Sequence, residues 1–568
     1  MRNRSLLLCL AVLTAACGER ASRGAAGAEG GTMVISTGGE ADGFLPPLTV
    51  NVTSGQVEAQ VFDKLAEPGV QLNMVGDVGF EPRLAASWSW APDSLSIAFH
   101  VDPKARWHDG QKVTAKDVRF TFQIYTDSAV GSLVKPLLLS IDSVTVRDSL
   151  TAVFWYTRRS PGQFFDAASQ MRILPEHILG SVARADIKTA PFRRSPVGSG
   201  PFKFVRWDDR QAIVVEANKD YHLGRPHLDR VIWSIAPDPS AAVLRLFAGE
   251  TDFLETLRPA DTVELAKHPE IVAFKYPSFS VGFVAFNERD PKNWKNPHPI
   301  FGDRDVRRAL SMAIDRQTIV NSVFNGRATV GSGPVPRSYA TYDSTIVLLP
   351  YSPDSAKRIL DARGWKDTKG TGVREKNGLP LAFRIMAPSS STPRRQMAEL
   401  MQEAYKQIGA KVEVEMVDYA ATIKEMTAHN YDASIVNLSL DPVPSSARQS
   451  WGSASAEAGG SNYGMYESKV FDAYIDSAAA QMDPVKARAY YRKAYVTIIG
   501  DAPALWLYEP GSYAGVQKRI HPVKMRADAW YANIREWYIP ADERTERDRS
   551  GEVPTAAPAA PPAAPAKP

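Results

Sequence analysis

The residues of this chain that could do chemistry are few, and their spacing excludes more than it supplies. His108-Asp109 has the types of an acid–base pair, yet it sits in a short Trp107-His108-Asp109-Gly110 turn, where a structural role is the better reading. Two serines lie between glycines, in Gly198-Ser199-Gly200 and Gly331-Ser332-Gly333. Neither has the Gly-x-Ser-x-Gly spacing that lifts a nucleophile onto a strand-to-helix turn. No His-Glu-x-x-His occurs, the 9 histidines are scattered, and no glycine-rich loop carries the lysine of a phosphate cradle. The cysteines are Cys9 and Cys17 alone, both near the N-terminus. The rest of the chain therefore has no disulfide, thiolate metal site or thiol nucleophile. No catalytic residue, metal site or cofactor is expected. Asp441, in Leu440-Asp441-Pro442, reads on its own as a plain turn starter.

Cys17 has a different chemistry. Met1-Arg2-Asn3-Arg4 is a basic start, an apolar run from Leu6 to Leu13 follows, and Thr14-Ala15-Ala16-Cys17 closes it. That order is an export signal with a cysteine where a lipoprotein peptidase cuts, and an apolar core of about ten residues is too short to span a bilayer. The expectation is removal of the signal and a lipid on Cys17, which tethers the chain at a membrane in the periplasm or at the cell surface. Thr14 stands where a leucine is usual three residues before the cysteine. Ordinary cleavage near Ala26-Gly27-Ala28, with soluble release, is the rival.

The elements that must position any site are spread over 568 residues, more than one core usually holds, so two or three lobes are expected. A hydrophobic content of 44% with 23% charged residues is ordinary for a globular chain. A net charge of +4 without a Lys/Arg block gives no nucleic-acid footprint. Thr114 caps a helix with Val118, Phe122 and Tyr125 on one face. Phe202–Val205 and Ala212–Glu216 read as paired strands. From Asp303 a helix carries Val306, Leu310 and Ile314 inward with Arg307 and Arg308 outward, and a second runs from Asp315 to Phe324. Ser352 caps another, Arg395 to Ile408 forms the next, and Lys411–Val417 alternates as a strand. A last long helix runs from about Asp483 to Ile499. Strands and helices alternate, which argues for α/β lobes. Gly18 to Gly31 reads as a flexible tether, and the Pro/Ala-rich end as a disordered tail.

A series of segments recurs in a familiar order. It begins with Ala41-Asp42-Gly43-Phe44-Leu45-Pro46, Val61-Phe62-Asp63-Lys64-Leu65 and Pro82-Arg83-Leu84-Ala85-Ala86-Ser87-Trp88. Trp107-His108-Asp109-Gly110, Thr114-Ala115-Lys116-Asp117-Val118 and Pro196-Val197-Gly198-Ser199-Gly200-Pro201-Phe202 follow. Asn218-Lys219-Asp220-Tyr221, Ala248-Gly249-Glu250-Thr251-Asp252 and Phe286-Asn287 come next, and Arg307-Arg308-Ala309-Leu310 with Ala313-Ile314-Asp315-Arg316 completes it. Over nearly the whole chain this resembles the extracytoplasmic solute-binding proteins of ABC importers, in the dipeptide/oligopeptide/nickel-binding family (family 5). The resemblance implies an α/β, two-lobed periplasmic-binding-protein clamp with an additional domain on the first lobe. Mapped here, the signal takes 1–17 and the tether 18–31. The first lobe takes 32–76, 198–287 and 511–545, its additional domain 77–197, the second lobe 288–510, and the tail 546–568.

Such a clamp buries its ligand between the lobes, so preferential binding to the closed form drives closure. The resemblance implies a monomer that binds a peptide or similar small solute and hands it to an ABC permease and its ATPase, with no chemistry on the ligand. It places Asp441 against a peptide α-amine, Tyr419 as a pocket-lining aromatic, and Gly43-Phe44 in the first ligand-side loop. Trp451 belongs to a loop beside the pocket, where covering a ligand and packing the core weigh equally. Asn287 either contacts ligand or caps a strand. Two departures matter: Leu438 replaces an aromatic, and Ala387-Pro388-Ser389-Ser390-Ser391 lacks the arginine that grips a dipeptide's carboxylate. Arg448 either replaces that charge or is a solvated surface residue. The alternatives are a carrier of chelated nickel, haem or another small amine or apolar solute, a peptide-sensing receptor, and an exported hydrolase.

Overall fold

The computed structural model describes residues 29–49, 51–132, 134–258, 261–389, 391–440, 446–457 and 461–550. Cys17 and Asp441 lie outside them, and of Tyr419 only the backbone is described. Thr32–Thr37 is the central strand of the first lobe because its apolar residues are buried on both faces. Met33 and Ile35 enter the main core, while Val34 packs with Ala212, Val214 and Ile232 on the other side. Each such burial stabilises by roughly 1.5–3 kcal/mol. Around it a seven-stranded sheet runs in the order 271–276, 512–517, 253–254, 32–37, 230–235, 212–217, 202–208. The strands at 230–235 and 253–254 are parallel to 32–37, and each strand further out is antiparallel to its inner neighbour.

The second lobe is built on a six-stranded sheet in the order 328–330, 504–510, 280–286, 433–439, 382–388, 411–417. Its last three strands are parallel. A separate four-stranded antiparallel sheet (85–90, 96–101, 151–156, 141–146) forms the core of the additional domain. The Ala115–Thr126 helix packs on it, held at its start by Asp117. That carboxylate accepts from the Thr114 amide (2.8 Å), the Thr114 hydroxyl (2.9 Å) and the Glu176 amide (2.9 Å). The chain is thus a two-lobed α/β clamp with a third unit on the first lobe.

Close backbone approach explains the glycines at 198 and 200. A Cβ on Gly198 would lie 1.8 Å from the Val61 carbonyl oxygen, at the end of the Val52–Val61 helix. His108 fastens the same place, with Nε2 3.0 Å from the Gly200 carbonyl and Nδ1 accepting from the Gly198 amide at 3.2 Å. Burial pushes its imidazole down to about 4, so it sits there neutral.

Four expectations need correction. The strand at 280–286, assigned from sequence to the first lobe, lies in the middle of the second sheet, so the chain crosses between lobes at 277–279 rather than near 287. Arg307 does not face outward: it is 3% exposed, pairs with Glu288 at 3.1 Å, and donates to the carbonyls of Phe301 (2.6 Å), Asp501 (2.9 Å) and Ala502 (3.1 Å). Arg308 is half-buried and donates to the Gly500 carbonyl at 2.8 Å. The tail does not begin at 546, because Glu546–Ser550 is a short helix whose Asp548 accepts from the Thr32 amide at 2.7 Å and pairs with Arg519 at 2.7 Å. The charged block there finds buried partners in the first sheet, which the Pro/Ala sequence beyond it does not offer.

Candidate functional site in the interlobe cleft

Strand register fixes where the two lobes face each other. In the first sheet Thr37 lies opposite Ile235, Leu254 follows beside Gly515, and Tyr276 pairs with Ser512. The carboxyl ends of the three parallel strands and both interlobe connections therefore share one edge. In the second sheet Ser280 pairs with Ser439, and Gly282 with Tyr508. The parallel strands ending at Pro388, Val417 and Ser439 all run toward that same connection. Each lobe thus presents strand carboxyl ends to the other, the position where open α/β sheets bind ligands.

On the first-lobe side this edge holds a cavity of about 220 Å³ lined by Ser36, Thr37, Gln56, Glu255, Arg258 and Trp530. Glu255 follows the Phe253–Leu254 strand directly. Gln56 reaches it from the Val52–Val61 helix, whose start is capped by the Asn51 side chain. The Gln56 amide donates to Glu255 at 3.2 Å, and its carbonyl oxygen accepts from Trp233 Nε1 at 3.1 Å. Trp530 stacks on Phe253 at 4.3 Å. Burial holds the Glu255 carboxyl above its ordinary range, with the hydrogen bond from Gln56 countering in part. An entering ammonium would draw this group into its charged form. An amide N–H would find a ready acceptor.

Glu255, Gln56 and Trp530 escaped the sequence reading. The available signal was position: Glu255 comes three residues after the Ala248–Asp252 segment, at a strand end.

The residues singled out from sequence have different fates. The Tyr419–Thr427 helix starts at the cleft edge, just after the Lys411–Val417 strand. Leu440 ends the approach to Asp441 on that edge, its amide donating to the Phe279 carbonyl at 3.0 Å. Trp451 is 4% exposed and packs against Phe283 (5.3 Å) and Trp506 (5.0 Å), with no acceptor for its Nε1 among the described residues. Gly43 adopts φ +126°, and the place of a Cβ is filled by the Arg193 guanidinium at 2.8 Å. Phe44 is fully buried between Phe204 (5.3 Å) and Trp207 (5.2 Å), so its ring packs the lobe.

Asn287 lies at the far edge, because the Ser280–Phe286 strand begins at the connection and runs away from it. Its amide donates to the carbonyls of His429 (2.9 Å) and Tyr431 (2.8 Å), and its oxygen accepts from the Arg289 amide (3.1 Å). It is a strand cap. Arg448 pairs with Asp476 at 2.6 Å on the surface. Among the described residues no group of three or more His, Cys, Asp or Glu is placed to hold a metal ion.

A model of the bacterial extracellular solute-binding proteins, family 5, middle region, matches residues 79–460. The chain is 28% identical over 549 residues to the oligopeptide-binding protein AppA of Bacillus subtilis, covering 94% of this chain and 98% of that protein. It is also 28% identical over 522 residues to haem-binding protein A of Haemophilus influenzae, covering 86% and 89% of the two chains. The structure of B. subtilis AppA in complex with a nonapeptide aligns at a TM-score of 0.65 and 28% identity, covering 90% of this chain and 99% of that one. The fold, the placement of the cleft and these similarities agree: the chain belongs to the bacterial extracellular solute-binding proteins of family 5.

Proposed function

We propose that this chain is the substrate-binding component of an ABC importer, capturing peptides between its lobes and delivering them to a membrane permease with its ATPase. The observation that carries the reading is the half-buried Glu255 carboxyl in a cavity of about 220 Å³ at the cleft edge of the first lobe, on the side that faces the second lobe. Carboxyl, amide, hydroxyl and indole groups match the ammonium and amide groups of a peptide. Similarity to an oligopeptide-binding protein along nearly the whole chain supports the same class.

In this reading Asp441 holds the α-amine from the second lobe, a charge-assisted contact that strengthens as closure expels water. Tyr419, Trp451 and the Gly43 loop border the ligand. A missing carboxylate-gripping arginine favours peptides longer than a dipeptide. The protein acts as a monomer without a cofactor and binds its ligand without chemical change. A lipid on Cys17 keeps it beside the permease, outside the cytoplasm.

Mass spectrometry of ligand carried through purification from the native host tests the reading. Peptides are expected, and a uniform non-peptide solute, such as haem or a nickel chelate, would overturn the peptide assignment.

A further inference from the structure

Behind the Val52–Val61 helix, across from the ligand cavity, lies a second cavity of about 150 Å³ with a different chemistry. The two are separated by the helix and the Trp530–Glu536 segment, which Gln60 joins through a 2.8 Å bond to the Tyr531 carbonyl. Five cationic side chains line the second cavity (Lys64, Arg83, Arg172, Arg526 and Arg535) against three carboxylates (Asp63, Glu67 and Asp528). Among the lining side chains the excess is two positive charges, with Glu81 and Glu536 approaching Arg83 (3.6 Å) and Arg535 (3.3 Å) from outside the lining.

The carboxylates are already engaged. Glu67 pairs with Arg526 at 2.8 Å and Lys64 at 3.4 Å, and Asp528 takes Arg526 in a two-pronged contact at 2.9 and 2.7 Å. Asp63 accepts from the Tyr221 hydroxyl at 3.0 Å and faces His222 at 3.4 Å. Arg526 is served by these carboxylates and Arg83 by Glu81 at 3.6 Å, but the other cations are less well matched. The Arg172 guanidinium has no hydrogen-bond or ion-pair partner within 4 Å among the described residues. The buried Nε of Arg535 has no acceptor among the described residues, while its terminal nitrogens donate to the Leu223 carbonyl (3.3 Å) and to Glu536 (3.3 Å). Lys64 has one ion pair, and 19% of its side chain remains accessible although it lies deep between chain segments.

Arg172, Lys64 and Arg535 are half-buried, where a cation short of acceptors is less well solvated than at the surface, and guanidinium forks match the geometry of oxyanions. We infer that this cavity is a binding site for a small tetrahedral oxyanion of the phosphate or sulfate class, held by Arg172, Lys64 and Arg535. The space holds one such ion with some water, given about 30 Å³ for each water molecule. The local field agrees: burial alone would raise Glu67, yet Lys64, Arg526, Arg83 and Arg172 outweigh it and hold that carboxyl well below the usual range. The bound ion would join Lys64 at the end of the helix, Arg172 of the additional domain, and Arg535 near the C-terminus.

The test is thermal unfolding of the full chain titrated with phosphate, sulfate or acetate, against chloride at matched ionic strength. A saturable rise in Tm with phosphate or sulfate is expected. The half-saturating concentration should increase at least tenfold in Arg172→Met and by less in Arg172→Lys. Arg172 makes no hydrogen bond through its side chain among the described residues, so circular dichroism of both variants should match the wild type. An equal response in wild type and Arg172→Met, a phosphate and sulfate response no larger than that to chloride, or an equal response to acetate would overturn the assignment.

Discussion

The backbone amide of Leu440 donates to the carbonyl of Phe279 at 3.0 Å. That bond fastens the residue before Asp441 to one of the two connections between the lobes. If the proposed ligand contact is made at Asp441, this bond joins it mechanically to rotation of the lobes, as a clamp requires. Tyr339 packs edge-on against Phe279 at 5.3 Å and steadies the same connection.

Glu255→Gln should weaken peptide binding tenfold to a hundredfold, the effect of losing a hydrogen bond to a charged group, about 1.5–3 kcal/mol. Because burial raises the Glu255 carboxyl, wild-type affinity for an ammonium-bearing ligand should rise with pH through that titration as the carboxylate forms. The variant should lose this part of the pH dependence. Calorimetric titrations at several pH values check both statements, and a variant with unchanged affinity and pH profile would remove Glu255 from the site.

Glu58 predicts a pH dependence of stability. It is 2% exposed, and burial raises its carboxyl to about 8, with Arg172 and the 2.5 Å hydroxyl bond from Thr49 opposing. The folded protein holds this proton up to about pH 8, whereas the unfolded chain releases it near the ordinary glutamate value of 4.5. Stability is thus present below the unfolded value and is lost as pH rises through the folded one, by on the order of a few kcal/mol. Urea unfolding at pH 5 and pH 9 should show the loss, and Glu58→Gln should remove most of it. An identical slope in wild type and variant would contradict the account.

Arg307→Leu should cost about 3–5 kcal/mol, the effect of leaving the buried Glu288 without its cationic partner. It also strips donors from three carbonyls. The midpoint of chemical unfolding reads this directly.

Asp548→Ala should cost roughly 1–3 kcal/mol by leaving the Thr32 amide without its acceptor. Arg547 adds to the same fastening, with two 2.7 Å contacts to Asp252. Removing residues 546–568 should therefore destabilise the first lobe, whereas removing 551–568 should not. Tm values of the two truncations, compared with the full chain, separate these outcomes.

Local pattern made much of the fold legible in the sequence. The alternation in Lys411–Val417 marked a strand that the structure reproduces residue for residue. Thr114 and Asp315 marked helix starts because caps are local chemistry. What failed was set by long-range pairing. The strand at 280–286 is equally apolar in either lobe, and only its register with 433–439 and 504–510 decides where it belongs. Arg307 reads as a surface residue until the carbonyls of Phe301, Asp501 and Ala502 arrive around it. Glu255 looked like any acid after a strand, since its environment comes from Gln56 and Trp530, far away in the chain.

The central claim is peptide capture between the lobes. Calorimetric titration of ligand-stripped protein with peptides of graded length, in wild type and Asp441→Asn, tests it most directly. Saturable one-to-one binding to peptides longer than two residues is the expected result, with the variant weaker by about 2–5 kcal/mol, as for one lost partner of a buried charge pair. No saturable binding to any peptide, or equal affinity in a folded Asp441→Asn protein, would contradict the account.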